Sequence, residues 1–249
     1  MSEKNAWEPA PEALALGQRE IHIWRVELEH AERHVADLAR CLAAEEVARA
    51  ARFRFARDRR RYVVTRAVLR TLLGRVLSMA ANDILLQYGP EGKPSLADEH
   101  GSDVQFNVAH SHELALVALS RRAALGVDVE HARELDDAPR IAQRFFSTQE
   151  VTALRATPAA QREAMFFRIW TRKEAFIKAI GKGLAQPLGA FSVMAADGNP
   201  LSHVQLEGAV TSWRLWDLFP GPNYGAALVV WTEREPLSLK QYQVGSQGV

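Results

Sequence analysis

The sequence predicts an α+β protein built as two similar halves, each with several strands and one long amphipathic helix. Three observations lead there. Apolar residues at helical spacing mark two long helices, one over residues 58–78 and one from about Glu163 to Ile180. Short apolar runs bounded by turn residues mark strands in both halves. Arg121 and Arg122 separate two such runs and put the division near residues 121–125, giving halves of 1–122 and 123–249. Residue likeness between the halves is too weak to establish duplication by itself.

The elements follow in order. Residues 21–28, IHIWRVEL, alternate apolar and polar as a strand does. Residues 31–53 are rich in Ala, Glu and Arg and read as one or two helices. In 58–78, Val64, Val68, Leu69, Leu72, Leu73, Val76 and Leu77 form the apolar stripe, with Arg66, Arg70 and Arg75 on other faces. Asn82 and Asp83 end that helix, and a short strand at 84–88 leads into the turn-rich GPEGKPSL. Runs at 104–109, 114–120 and 123–130 suit paired strands. Short helices over 138–146 and 148–155 meet at Phe146-Ser147, where Ser147 and Glu150 have capping-box spacing. Gly181 and Gly183 stop the second long helix, and strands follow at 191–195, 203–207, 212–217 and 224–231.

The chain has 249 residues, 47% of them hydrophobic, which is ample for a sizeable core. A charged fraction of 24% and a net charge of +1 exclude a disordered chain and a general nucleic-acid binder. Positive charge gathers locally in Arg49, Arg52, Arg54, Arg57, Arg59, Arg60, Arg61, Arg66, Arg70 and Arg75. Such a cluster either solubilises a helix face or meets an anion. Cys41 is the single cysteine; among apolar neighbours it reads as a buried inert thiol, and the count fits a reducing compartment. The N-terminus is polar, broken by Pro9 and Pro11, and lacks the apolar stretch of a signal peptide. No run is long enough to cross a membrane, so a cytoplasmic protein with no membrane partner is expected.

The chemistry starts at GVDVE, 126–130. On a strand Asp128 and Glu130 share one face while Val127 and Val129 point into the core. Two like charges side by side suit a cation between them, and hard oxygens suit Mg²⁺ together with substrate phosphate; a solvated strand end is the alternative. On the helix FFRIWTRKEAFIKAIGKGL, 166–184, Glu174 and Lys178 stand four apart, either as an ordinary ion pair or as a third metal ligand with a phosphate-facing lysine. Lys173 and Lys182 add positive charge nearby. Lys93 sits in a rigid Gly-Lys-Pro turn, and FNVAHSH ends a strand with His110 and Ser111, both able to bind phosphate oxygens. RFFSTQE delivers Glu150 at a helix start, where capping alone accounts for it.

Taken in order, an arginine-bearing helix with Arg61, GKP, FNVAHS, GVDVE, RFFSxxE and WxxKEAxxKxxGKGL resemble the Sfp-type 4'-phosphopantetheinyl transferases over residues 49–193. The resemblance implies a pseudo-dimer of two α+β subdomains with the active site in the cleft between them. It implies transfer of the phosphopantetheine arm of coenzyme A to a serine of an acyl or peptidyl carrier protein, releasing adenosine 3',5'-bisphosphate with Mg²⁺ assistance. It implies Asp128, Glu130 and Glu174 as metal ligands, Lys178 and His110 on the phosphates with Ser111 beside them, Arg61 and Lys93 on the 3'-phosphate and adenine end, Arg49 as a further basic contact, and Glu150 as general base for the carrier serine. It also implies a monomer. The region around 144–160 is the expected surface for reading the carrier, whose identity one sequence does not expose. Ala109 and His112 depart from the family's usual serine and glycine, and Glu46 lies near a position where some relatives are basic.

Two other classes compete. A metal-dependent phosphodiesterase or nuclease is disfavoured by the near-neutral charge and by the expectation that no aromatics interleave the arginines. A non-catalytic coenzyme A- or carrier-binding module would have no reason to cluster three acids with Lys178.

Overall fold

The structure, a computed structural model, describes residues 7–29, 32–181, 183, 186–233 and 236–245. Lys182 lies outside them. The first half contains β1 (Glu8–Pro9), β2 (Glu20–Glu27), α1 (Glu32–Leu38), α2 (Ala44–Ala51), α3 (Ala56–Leu77), β3 (Leu86–Tyr88), β4 (Pro94–Leu96), β5 (Val104–Ser111) and β6 (Leu114–Arg121). The second contains β7 (Leu125–His131), α4 (Ala138–Phe145), α5 (Thr148–Ala156), α6 (Ala159–Ile180), β8 (Phe191–Met194), β9 (Pro200–Leu206), β10 (Ala209–Leu218), β11 (Tyr224–Trp231) and β12 (Ser238–Gln243).

Two five-stranded sheets result, in the orders β1-β12-β2-β6-β5 and β7-β11-β10-β9-β8, and β3 pairs with β4. The chain crosses from one sheet to the other between Arg121 and Leu125, where the sequence divides it. The C-terminal strand then returns: Ser238 pairs with Glu20 and Gln243 with Arg25, in parallel. Residues 238–243 therefore belong in space to the first half, which no local pattern announced.

Side-chain alternation explains the layers. On β6, Ala115, Val117 and Leu119 join the core under α3, while Leu114, Leu116 and Ala118 join a core shared with the other sheet. On β11, Ala227 and Val229 face the core under α6, and Ala226, Leu228 and Val230 face the shared core. Both strands are covered on both sides, which is why they read as continuous apolar runs. The order of layers is helix, sheet, sheet, helix.

The basic helix α3 is more buried than its pattern suggests. Arg66 and Arg70, expected on solvent-facing positions, lie inside and share the buried carboxylate of Glu46 on α2. Arg70 also donates to the carbonyls of Ala81, at 3.0 Å, and Ile84, at 2.8 Å. Burying a guanidinium requires such a counter-charge, so an acid at position 46 has a structural reason. Cys41 packs, half-buried, against the same core.

Candidate active site

The site forms where β5, β7, α3 and α6 meet. On β7, Leu125, Val127 and Val129 enter the shared core, so Gly126, Asp128 and Glu130 take the opposite face. Gly126 lets α6 approach: a Cβ there would lie 2.1 Å from the Ala175 carbonyl oxygen and 2.3 Å from the Ala179 nitrogen. With the helix this close, Lys178 Nζ donates to Asp128 Oδ1 at 2.6 Å. The outer edge of β7 is pinned by β5. Asn107 Oδ1 accepts from the Val127 amide at 2.9 Å, and Ser111 Oγ accepts from the His131 amide at 3.1 Å while donating to Glu130 at 2.8 Å. Asn107 escaped the sequence reading; its signal was a lone amide inside an apolar strand.

Asp128 is nearly inaccessible, and its Oδ2 is buried without a hydrogen-bond partner. Burial pushes its carboxyl up to about 7 against the pull of Lys178, with the charges of Glu130 and Glu174 adding to the rise. Glu174 is raised by the same causes, burial first, with Lys178 opposing and Glu130 reinforcing. Three carboxylates thus feel one another, and one buried oxygen is unsatisfied. Among the described residues no group of three or more His, Cys, Asp or Glu side chains is drawn together as a metal cage. The acids fit a hard divalent cation in donor chemistry and in the orphaned oxygen, but are not gathered around one point.

His110 stands on β5 with an exposed edge. Protein crowding its ring pushes its pKa down, and the charges of Lys178 and Arg61 push it further. Arg61 meets Glu113 at 2.8 Å and Asp58 at 3.6 Å. Lys178 thus meets Asp128 and Ser111 meets Glu130, while His110 and Glu174 lie within electrostatic range of Lys178 and Glu130, and His110 of Arg61 as well.

Other expected members have other partners. Glu150 is fully buried: its Oε1 accepts from the Val193 amide at 2.7 Å, and its Oε2 accepts from the Ser147 amide at 2.8 Å and pairs with Lys173 at 2.8 Å. Both oxygens of Glu150, the residue expected as general base, are thus engaged by the helix cap, the Val193 amide and Lys173. Lys173, expected to add charge near the phosphates, is buried with it and also donates to the carbonyls of Leu188 and Phe191, both at 2.7 Å. Lys93 is half-buried, with its ammonium on the carbonyls of Lys178 (2.6 Å), Ala179 (3.2 Å) and Leu125 (3.3 Å). It caps the end of α6 and ties the halves together, and burial lowers its pKa to about 8. Arg49 lies over the Tyr62 ring and, with Arg52 and Phe53, bounds an open hollow of about 510 Å³. The expectation of no aromatics among the arginines is corrected: Arg54 and Arg57 both lie over Phe55.

Asp128, Glu130 and Glu174 thus lie near Lys178 and His110 at the junction of the two α+β halves. Comparison with known proteins sharpens this. Residues 124–229 match the family model described as the 4'-phosphopantetheinyl transferase superfamily, and residues 27–122 match that of the 4'-phosphopantetheinyl transferase N-terminal region. The chain is 37% identical to the 4'-phosphopantetheinyl transferase HetI of Nostoc sp., over 91% of this chain and 94% of that one. It is 36% identical to a putative 4'-phosphopantetheinyl transferase of Synechocystis sp. over 70% of each chain, and 31% identical to Sfp of Bacillus subtilis over 61% of this chain and 66% of that one. The chain belongs to the 4'-phosphopantetheinyl transferases and is an enzyme of that class. Among the described residues no helix is long and apolar enough to cross a membrane.

Proposed function

We propose that this enzyme moves the phosphopantetheine arm of coenzyme A onto a serine of an acyl or peptidyl carrier protein. The serine oxygen forms a bond to the β-phosphorus, the bond from that phosphorus to the bridging oxygen breaks, adenosine 3',5'-bisphosphate leaves, and the serine proton passes to solvent. The observation that carries the reading is Asp128, with one oxygen on Lys178 at 2.6 Å and the other buried and unpartnered, flanked by Glu130 and Glu174.

Asp128, Glu130 and Glu174 would hold Mg²⁺, which when bound supplies positive charge to the pyrophosphate. Lys178 is positioned to exchange its bond with Asp128 for a phosphate oxygen. His110, favouring its neutral form, offers one ring N–H to phosphate without demanding a counter-ion. Arg61 supplies permanent positive charge toward the nucleotide end, and Lys93 holds the helix end in place. The hollow of about 660 Å³ between α4, α5 and α6 overlaps the segment expected to read the carrier; Pro139, Val151, Leu154 and Phe166 line it, with Arg140 and Arg155 among its charged residues. That makes it the preferred docking surface for the carrier.

Purified protein with Mg²⁺, coenzyme A and an apo carrier should add one phosphopantetheine mass, read by intact-mass spectrometry. No shift across acyl and peptidyl carriers, with coenzyme A still bound, would reduce the protein to a binding module. Asp128→Ala should lower the transfer rate by at least about 100-fold while circular dichroism and the melting temperature stay near wild type. A variant that keeps most of its rate would remove Asp128 from the chemistry.

A further inference from the structure

The hairpin of β3 and β4 forms a sheet of its own, yet it touches both halves of the chain. Its stem belongs to the first half: Leu86 and Leu96 pack on the core under α3, and Arg66 of α3 donates to the Tyr88 hydroxyl. Its turn reaches the second half. Lys93, just before β4, sets its ammonium on the carbonyls of Lys178, Ala179 and Leu125. The end of α6 receives it closely. Gly181 closes the helix at φ 67°, and a Cβ there would lie 3.5 Å from Lys93 Cδ. A Cβ on Gly183 would lie 2.9 Å from Glu91 Oε2, so the same turn rests against Gly183 as well.

The last carbonyls of a helix lack partners within it, and a cation there also meets the negative end of the helix dipole. The basic residue in the last turn of α6 is Lys178, but its ammonium is turned to Asp128. The capping cation comes instead from Lys93, 85 residues before Lys178. Lys178 therefore carries two contacts at once: its carbonyl holds Lys93 at 2.6 Å and its side chain holds Asp128 at 2.6 Å. Leu125, the third acceptor, begins the strand that bears Asp128. An ammonium has three N–H donors, and three carbonyls take them, so none is left for a phosphate.

We propose that Lys93 is a positioning residue: the hairpin clasps the end of α6 to the start of β7 and so sets Lys178 against Asp128, without touching the donor. The effect on rate rests on the transfer reaction proposed above; the clasp itself does not.

Lys93→Met keeps most of the side-chain stem and removes the donors. With Mg²⁺ and an apo acyl carrier protein, kcat from coenzyme A should fall about 10- to 100-fold, as a small misplacement of reacting groups costs. KM should stay near wild type for both coenzyme A and 3'-dephospho-coenzyme A. In a Lys178→Ala background, Lys93→Met should slow transfer no further, because residues acting through one another are not additive. Amide hydrogen exchange over residues 177–181 should quicken at least about tenfold in Lys93→Met and stay unchanged in α3. A KM raised for coenzyme A alone makes Lys93 a contact to the 3'-phosphate and overturns the proposal. An unchanged kcat, or losses that multiply in the double variant, overturns it too. If Lys93→Met does not fold, Lys93→Gln, which keeps one donor group, is read by the same measurements. Wild-type protein that transfers nothing overturns the transfer reading alone; exchange at the end of α6 then decides the clasp, and an unchanged rate there refutes it.

Discussion

The two long helices are equal in length, 22 residues each, and each covers the outer face of its own sheet, yet only α6 sets a side chain directly against Asp128. Beneath α3, strand β6 presents Ala115, Val117 and Leu119, so the helix stands off on a layer of side chains. Beneath α6, Gly126 and Gly225 remove that layer: a Cβ on Gly225 would lie 3.4 Å from the Phe167 backbone, and one on Gly126 far closer to Ala175. The closer helix can set Glu174 and Lys178 against Asp128. Both helices bury cations, and each burial is matched: Arg66 and Arg70 by Glu46, Lys173 by Glu150, and Arg172 by Asp217 at 2.6 Å. The halves share a plan for holding a helix on a sheet and differ in how near the helix comes.

The most severe way to break this comparison is at the closest approach. Gly126→Ala should destabilise the fold by at least about 3 kcal/mol, or prevent soluble expression, because backbone atoms of α6 cannot yield to the new methyl group. The mirror change beneath the other helix, Ala115→Gly, should cost only about 1 kcal/mol. Urea unfolding of both variants measures the contrast, and equal small losses would mean that helix distance does not separate the halves.

The buried Glu150–Lys173 pair gives the next largest effect. Glu150→Gln leaves the Lys173 ammonium buried without its counter-charge and should cost about 3–5 kcal/mol. Transfer by the folded fraction, assayed at low temperature, should stay within about threefold of wild type. A fully folded Glu150→Gln protein slowed by the 10²-fold or more expected for loss of a base would return Glu150 to the chemistry.

The smallest effect concerns the strand that joins the halves. Lys240 on β12 meets Glu20 on β2 at 2.5 Å. The hydrogen bond from Lys240 is the largest influence holding the Glu20 carboxyl down at about 2, with His22 and the Gly17 amide assisting against burial. The folded value lies below the unfolded one of 4.5, so the stabilisation is complete above pH 4.5 and is lost as pH falls toward 2. The pair is partly exposed, which limits its worth to about 1 kcal/mol at low salt and less at high salt. Lys240→Met should flatten this part of the stability profile between pH 4.5 and 2, measured by thermal unfolding, by about that amount. An unchanged profile would show that backbone pairing alone holds β12.

Much of the site was legible because it is local. Alternation on GVDVE placed Asp128 and Glu130 on one face, and the four-residue step from Glu174 to Lys178 placed both on one side of α6. Roles that depend on burial were not legible. Glu150 and Lys173 carry the same charges whether they line a cleft or cancel each other in a core, and only packing distinguishes these. The same holds for Arg66 and Arg70, which a helical wheel assigns to solvent until Glu46 arrives from α2. Lys93 and Lys178 are 85 residues apart, and no periodicity brings one to the other's carbonyl.

The sequence by itself determined the element types and the faces of β7 and α6 on which the acids and Lys178 stand, because these follow from periodicities of two and 3.6 residues within single elements. Tertiary structure decided which charges face the cleft, how close α6 lies to β7, and that the last strand closes the first sheet. These depend on contacts between residues far apart in the chain, whose free energy appears only when water leaves the surfaces between layers.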